Sequence, residues 1–64
     1  MEPLENLLLE IGWVDVEIFN TEISDAAWFY TLEQVVNNYN SKYGTEFESC
    51  ETVHKYLRQR KEAE

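Results

Sequence analysis

The chain has 64 residues, a net charge of −8 and a single cysteine. This length allows one domain near the lower size limit for independent folding, so we expect residues 1–64 to form a complete small acidic domain. A single cysteine excludes an intramolecular disulfide and is typical of a reducing compartment, which predicts a cytoplasmic protein. No segment has the length and apolar character of a membrane-spanning helix, and an acidic surface avoids anionic lipids, so we expect no membrane partner.

The negative charge is confined to one part of the chain. Residues 1–41 contain eight Asp or Glu and no Lys or Arg, whereas residues 42–64 contain five acids and five bases. Carboxylates without local cations give a surface of single-sign charge, which repels nucleic acid and attracts basic surfaces. This distribution predicts another protein with a basic surface as the partner, and it makes nucleic acid an unfavourable partner for the monomer.

A helix, a strand and a turn are predicted for the first 24 residues. Pro3 favours the first turn of a helix over residues 3–11, the apolar residues that follow have helical spacing, and Gly12 is expected to end it. Residues 13–19 then alternate between apolar and acidic side chains, which predicts a half-buried strand before a turn at residues 20–24. The strand residues expected to face the core are Val14, Val16 and Ile18.

Two interpretations fit residues 24–44. In the first, which we favour, Ser24 caps one long helix that begins directly after it and ends at Gly44. In the second, a capping box at residues 31–34 starts the helix later and leaves residues 26–30 as a second strand. The long helix is favoured because one apolar stripe crosses both parts without a break. That stripe consists of Trp28, Leu32, Val35, Val36, Tyr39 and Tyr43.

The last predicted helix follows a short connector over residues 45–48. Phe47 in the connector is expected to fill the core, and Ser49 to cap the helix. The residues of this helix expected to face inward are Cys50, Val53, Tyr56 and Leu57. The predicted fold class is therefore α+β and mainly helical, in the order helix, strand, long helix, helix, with a short two-stranded pairing as an alternative. A single strand needs partners for its backbone, so a homodimer through the Val14–Ile18 strand is also expected.

Residue types that carry catalysis or hold cofactors are scarce, so we predict that the chain is not an enzyme and needs no cofactor. It has one histidine, one cysteine and no glycine-rich phosphate loop. Cys50 and His54 have the spacing of two ligands on one helical face, but a tetrahedral zinc ion needs four ligands and no second pair is present. We therefore predict no metal site.

Large aromatic side chains near carboxylates predict a protein-binding surface. On the predicted strand Trp13 and Phe19 would face outwards, and Asp15 and Glu17 would continue into a row of carboxylates with roughly 6–7 Å spacing, close to that of DNA phosphates. The residues predicted to contact a partner are Trp13, Asp15, Glu17, Phe19, Glu22, Asp25 and Phe29. The predicted function is a non-enzymatic protein-binding module, including a stoichiometric inhibitor, phage-type or DNA-mimic-like, of a basic nucleic-acid-handling protein.

The alternative function is DNA binding by the last two helices, as in a small transcription-associated factor. Two helices joined through Gly44 resemble a helix-turn-helix, and a basic patch near the end of the chain offers phosphate contacts. The patch consists of Lys55, Arg58, Arg60 and Lys61. Residues 44–57 have a Gly, Phe, Ser and Tyr-Leu spacing similar to that of methyl-CpG-binding domains. Glu46 and Glu48 stand where a nucleic-acid binder needs bases, so we interpret the likeness as local packing.

Overall fold

The computed structural model describes residues 2–63 as a bundle of three helices. These are α1 (Pro3–Phe19), α2 (Asp25–Tyr43) and α3 (Ser49–Ala63), and each helix contacts both of the others. Residues 2–63 contain no strand, so the predicted α+β class is wrong. The chain is a small all-helical domain.

The largest correction concerns residues 13–19, which continue α1 instead of forming a strand. Leu7, Ile11, Val14 and Ile18 share one helical face, and all of them are buried or pack against the core. A lone strand would leave its backbone polar groups without partners, whereas a helix pairs them within the segment. Burial of this stripe outweighs the β preference of the branched residues and the cost of about 1 kcal/mol for a glycine inside a helix.

The ends of α2 are those of the long-helix interpretation, and the alternative strand over residues 26–30 is wrong. The Ser24 hydroxyl accepts a hydrogen bond from the Ala27 N–H at 3.2 Å, which caps the first turn. Gly44 ends the helix with a φ of 67°, a left-handed conformation that favours glycine. Tyr43 is exposed, whereas the other residues of the predicted stripe are buried or pack against the core.

The connector before α3 is organised by the side chain of Asn40. Its Oδ1 accepts hydrogen bonds from the Phe47 N–H at 3.0 Å and from the Thr45 hydroxyl at 2.8 Å. Its Nδ2 donates to the Phe47 carbonyl at 2.8 Å. These bonds hold Phe47 against the core, which confirms its predicted position.

The N-terminal cap of α3 is Glu48 and not the predicted Ser49. The Glu48 carboxylate accepts a hydrogen bond from the Glu51 N–H, and its carbonyl accepts one from the Thr52 N–H at 2.9 Å. Ser49 is the first residue inside the helix, and its hydroxyl donates to the Glu33 carboxylate of α2 at 3.2 Å. The prediction therefore missed the start of α3 by one residue.

All three helices contribute to the core. Its buried apolar residues are Leu7, Ile11, Leu32, Val36, Tyr39 and Val53. The Tyr39 hydroxyl donates to the Pro3 carbonyl at 3.2 Å, which joins α2 to the start of α1. Tyr56 and Leu57 pack against the core as predicted, but Cys50 is exposed, which corrects its predicted inward position. The core covers one face of α1 and leaves the opposite face open.

Candidate functional site

The open face of α1 carries large apolar side chains, and we call the set of four the α1 outer face. Its members are Leu9, Trp13, Val16 and Phe19. Each follows the previous one by three or four residues, so the four lie along one side of the helix. They are between 52% and 72% exposed, although side chains of this size are among those most often buried. A contiguous apolar surface of this kind is typical of an interaction site.

A groove of about 440 Å³ opens between the α1 outer face and α3. It is lined by Leu8, Leu9, Gly12, Trp13, Val16 and Tyr56. The backbone of Gly12 lies close to the ring of Tyr56, because a Cβ placed on Gly12 would lie 3.7 Å from the nearest ring carbon. The absence of a side chain at Gly12 therefore leaves a depression between its neighbours on the helix.

Asp15 lies on the side of α1 that faces into the bundle, next to Phe19, and it joins all three helices. It is 3% exposed, and its Oδ1 accepts a hydrogen bond from the Trp28 indole N–H of α2 at 2.8 Å. Its Oδ2 accepts from the Tyr56 hydroxyl at 2.7 Å and from the Arg60 guanidinium at 2.7 Å, both from α3. We call these four residues the Asp15 network. A buried carboxylate with an ion pair and two further donors is fully satisfied, and the network links all three helices.

The Asp15 network also fixes the state of Tyr56. Burial, followed by the hydrogen bond to Asp15 and the negative charge of that carboxylate, raises the pKa of Tyr56 to about 12. An ordinary tyrosine is already neutral at physiological pH, so the raised pKa extends to more alkaline pH the range in which the phenol donates a hydrogen bond to Asp15. Because its hydroxyl is bound to Asp15, the ring is held in place beside Gly12.

Acidic side chains dominate the surroundings of the α1 outer face. Glu5 and Glu17 are exposed on α1, which contains no Lys or Arg. On the side facing α2, Trp13 borders a second groove with Glu10 and Lys42. The face is therefore an apolar surface with mainly carboxylates along its own helix, and it favours cationic groups on whatever approaches it.

The predicted partner-binding residues fall into separate places. Trp13, Glu17 and Phe19 are exposed, but they lie on α1 and not on the predicted strand, and Glu22 is exposed in the turn after α1. Asp25, at the start of α2, is exposed and lines a groove of about 270 Å³ together with Phe19.

Two of the predicted partner-binding residues lie away from the surface. Phe29 is half-buried, packs against the core and contacts the ring of His54, with 5.3 Å between ring centroids. Asp15 is buried in its network, so the predicted row of evenly spaced carboxylates is absent. The strand on which the predicted homodimer depended is also absent, since residues 14–18 are helical.

Leu9 and Val16 belong to the surface but were not predicted. The assumed strand placed Val16 in the core beside Val14 and Ile18, and the assumed end of the helix at Gly12 separated Leu9 from Trp13. The signal that could have revealed them is the helical spacing of Leu9, Trp13, Val16 and Phe19, which forms a second apolar stripe beside the inner one.

The basic residues predicted for DNA binding are only partly available. Arg60 is bound to Asp15. Lys55 and Arg58 line a groove that also contains Glu46, Glu48 and Glu51, so acids surround these cations. Lys61 is exposed. This arrangement does not present the clustered positive charge that phosphate binding needs.

Neither a protein-family model, nor a curated protein, nor a solved structure matches this chain. Across the described residues, no group of three or more His, Cys, Asp and Glu side chains is placed to hold a metal ion. Within the same part of the chain, no helix is both long and apolar enough to cross a membrane. The fold and site thus define a small three-helix domain with one exposed apolar helix face.

Proposed function

We propose that this chain is a non-enzymatic protein-binding module that docks through the α1 outer face. One observation carries the proposal: four large apolar side chains, including Trp13 and Phe19, lie together on one exposed side of a helix. Tryptophan supplies a disproportionate share of binding energy at protein interfaces, and a rigid helix fixes its backbone, so only the side chain has to be ordered on binding. In this proposal Trp13 and Phe19 are the anchors, and Leu9 and Val16 complete the apolar contact.

The charge of the chain supports a partner with a basic surface. The net charge is −8, and α1 itself contains no cation. Complementary charge accelerates encounter with a basic protein and disfavours acidic ones, while the apolar anchors slow dissociation. We further propose that the partner is a nucleic-acid-handling protein whose phosphate-binding surface is blocked stoichiometrically. This inhibitor function depends on overall charge and not on a phosphate-like row, because Asp15 is buried.

The experiment compares proteins captured from a lysate of the source organism by the wild-type chain and by a Trp13→Ala, Phe19→Ala double variant. Both rings are about 70% exposed, so their removal should leave the helical circular dichroism spectrum and the urea midpoint nearly unchanged. Tyr30→Ala is the matched control, since Tyr30 is 61% exposed on α2 and lies outside the α1 outer face. A genuine partner is retained by wild type and by Tyr30→Ala and is lost by the double variant.

Two results would refute the proposal. One is capture of the same proteins, at the same yield, by the double variant. The other is salt-dependent binding of labelled duplex DNA by the wild-type chain that Lys55→Ala and Arg58→Ala abolish, which would favour the helix-turn-helix alternative. The inhibitor function is tested by adding the chain to the captured protein at equal concentration and measuring whether that protein still binds nucleic acid.

A further inference from the structure

Four residues of α1 form a hole of the kind that receives a side chain from a packed helix. Leu9, Gly12, Trp13 and Val16 occupy positions i, i+3, i+4 and i+7, which is the set that surrounds an inserted side chain in helix–helix packing. All four line the groove between α1 and α3. Gly12 widens this hole on the side of Tyr56, because it contributes no side chain to the rim.

The fold itself does not require glycine at position 12. Among the described glycines, only Gly44 has a positive φ. An added Cβ at Gly12 would make an ordinary van der Waals contact of 3.7 Å with the Tyr56 ring and would displace nothing. Glycine inside a helix is nevertheless less stable than alanine. Glycine at position 12 therefore lowers the stability of the helix without a packing reason inside the fold. The space beside it is open to a side chain from another molecule.

We propose that the hole at Gly12 receives an apolar side chain from a basic amphipathic helix of the partner. This inference rests on the proposed function and specifies its partner. The geometry is that of a helix packed along α1, with one apolar residue seated over Gly12 between Leu9, Trp13 and Val16. The wall of the hole is preorganised, because the hydrogen bond from Tyr56 to Asp15 at 2.7 Å holds the ring.

Charge selects a basic helix over a second copy of this chain. Two α1 helices packed against each other would bring together two segments that each carry acids and no cations. Like charges facing each other across an interface are destabilising, and cations on the incoming helix would instead pair with Glu5 and Glu17. The partner helix is therefore apolar along one stripe, with Lys or Arg beside that stripe.

The probe is a synthetic helical peptide with Leu at heptad spacing and Lys on its flanks, and its control carries Glu in place of Lys. Trp13 is exposed, so seating of the peptide should shift its fluorescence emission to shorter wavelength, and Trp13→Phe should remove that shift. Affinity is measured for wild type, Gly12→Ala, Gly12→Leu, Trp13→Ala and Tyr30→Ala. Thermal unfolding of each variant is recorded in parallel.

We expect the Lys peptide to bind wild type and Tyr30→Ala equally, and the Glu peptide to bind neither. Gly12→Leu should weaken binding at least tenfold because its side chain fills the hole. Gly12→Ala should raise the midpoint of thermal unfolding by about 4–8 °C and still weaken binding about threefold. If Gly12 had only a structural role, Gly12→Ala would not raise stability and weaken binding at the same time.

Three results would overturn the inference, and they differ in what they leave standing. If Trp13→Ala abolishes binding but Gly12→Leu binds as wild type does, the α1 outer face remains and the hole is wrong. If neither substitution changes binding, the proposed function fails as well. If sedimentation shows a wild-type dimer that Gly12→Leu dissociates, the occupant is a second copy and not a basic partner.

Discussion

Removal of the Asp15 carboxylate tests the central packing interaction of the bundle. In Asp15→Ala, the Trp28 indole and the Tyr56 hydroxyl lose the acceptor that they reach at 2.8 and 2.7 Å. A hydrogen bond to a charged group contributes about 1.5–3 kcal/mol, and the lower value applies because both rings are half-buried. The Arg60 ion pair adds at most about 1 kcal/mol, since that side chain is 41% exposed and regains water.

The three losses sum to about 4 kcal/mol, and relief of the buried charge returns part of it. We therefore expect Asp15→Ala to lower the free energy of unfolding by about 3 kcal/mol, which corresponds to a fall of about 12–24 °C in the unfolding midpoint. A domain of this size has only a few kcal/mol of net stability, so the variant should be largely unfolded or close to it. Asp15→Asn keeps one acceptor oxygen and should lose about half as much.

Urea unfolding followed by far-ultraviolet circular dichroism measures these changes. Glu17→Ala is the matched control, because Glu17 is an exposed acid two residues further along α1 and should change stability by less than about 0.5 kcal/mol. A double-mutant cycle of Asp15→Ala with Tyr56→Phe should give a coupling of at least about 1 kcal/mol. A loss below about 1 kcal/mol for Asp15→Ala, or a coupling near zero, would show that the network does not stabilise the fold.

Three further predictions concern the Tyr56 hydroxyl, the Asn40 side chain and Gly44. Burial and the Asp15 carboxylate raise the pKa of Tyr56 to about 12. The stability that the neutral phenol contributes is therefore complete below the ordinary tyrosine pKa of about 10, and it is lost as the pH rises from 10 to 12. Solvent screening limits this loss to about 1 kcal/mol, and Tyr56→Phe should remove it from the pH dependence of the urea midpoint. Asn40→Ala removes three hydrogen bonds around the connector, so it should lower the free energy of unfolding by about 2 kcal/mol. Hydrogen exchange at the Phe47 amide should become faster, and unchanged exchange would contradict this role of Asn40. Gly44→Ala should cost about 1–2 kcal/mol by thermal unfolding through backbone strain alone, since its Cβ would meet nothing within 4 Å.

The sequence predicts the ends of α2 because their signals are local. Ser24 lies three residues before the N–H that it accepts, and Gly44 adopts the left-handed conformation that ends a helix. Both features depend on the residue itself and its immediate neighbours, so they can be predicted without the tertiary structure. The cap of α3 is also a local feature. Glu48 and the adjacent Ser49 both carry a side-chain oxygen that can accept a hydrogen bond in the first turn, so the sequence does not decide between them.

Local signals do not predict the structure of residues 13–19, because the core-facing residues of this segment fit a strand as well as a helix. Val14 and Ile18 share a face in a strand and also in a helix, so they do not distinguish the two. The distinguishing pair is Asp15 and Val16, since a strand buries the valine and a helix buries the acid. A buried aspartate is improbable without a cation, and its cation is Arg60, which lies 45 residues further along the chain. No local pattern contains that partner.

The same long-range ion pair, together with the buried apolar stripe, fixes which surface of α1 remains for binding. Because Asp15 is directed into the bundle, Leu9, Trp13 and Val16 are left on the open side. Exposed apolar groups promote association between copies, but α1 contains no cation and each copy carries a net charge of −8, so like charges oppose that association. On the proposed function, the acidic surface would therefore oppose association between copies and attract a basic partner. The same acidic surface would then keep the protein soluble and select a basic partner. The apolar contact would be available to a second copy and to the partner alike, so the charge makes the difference between them.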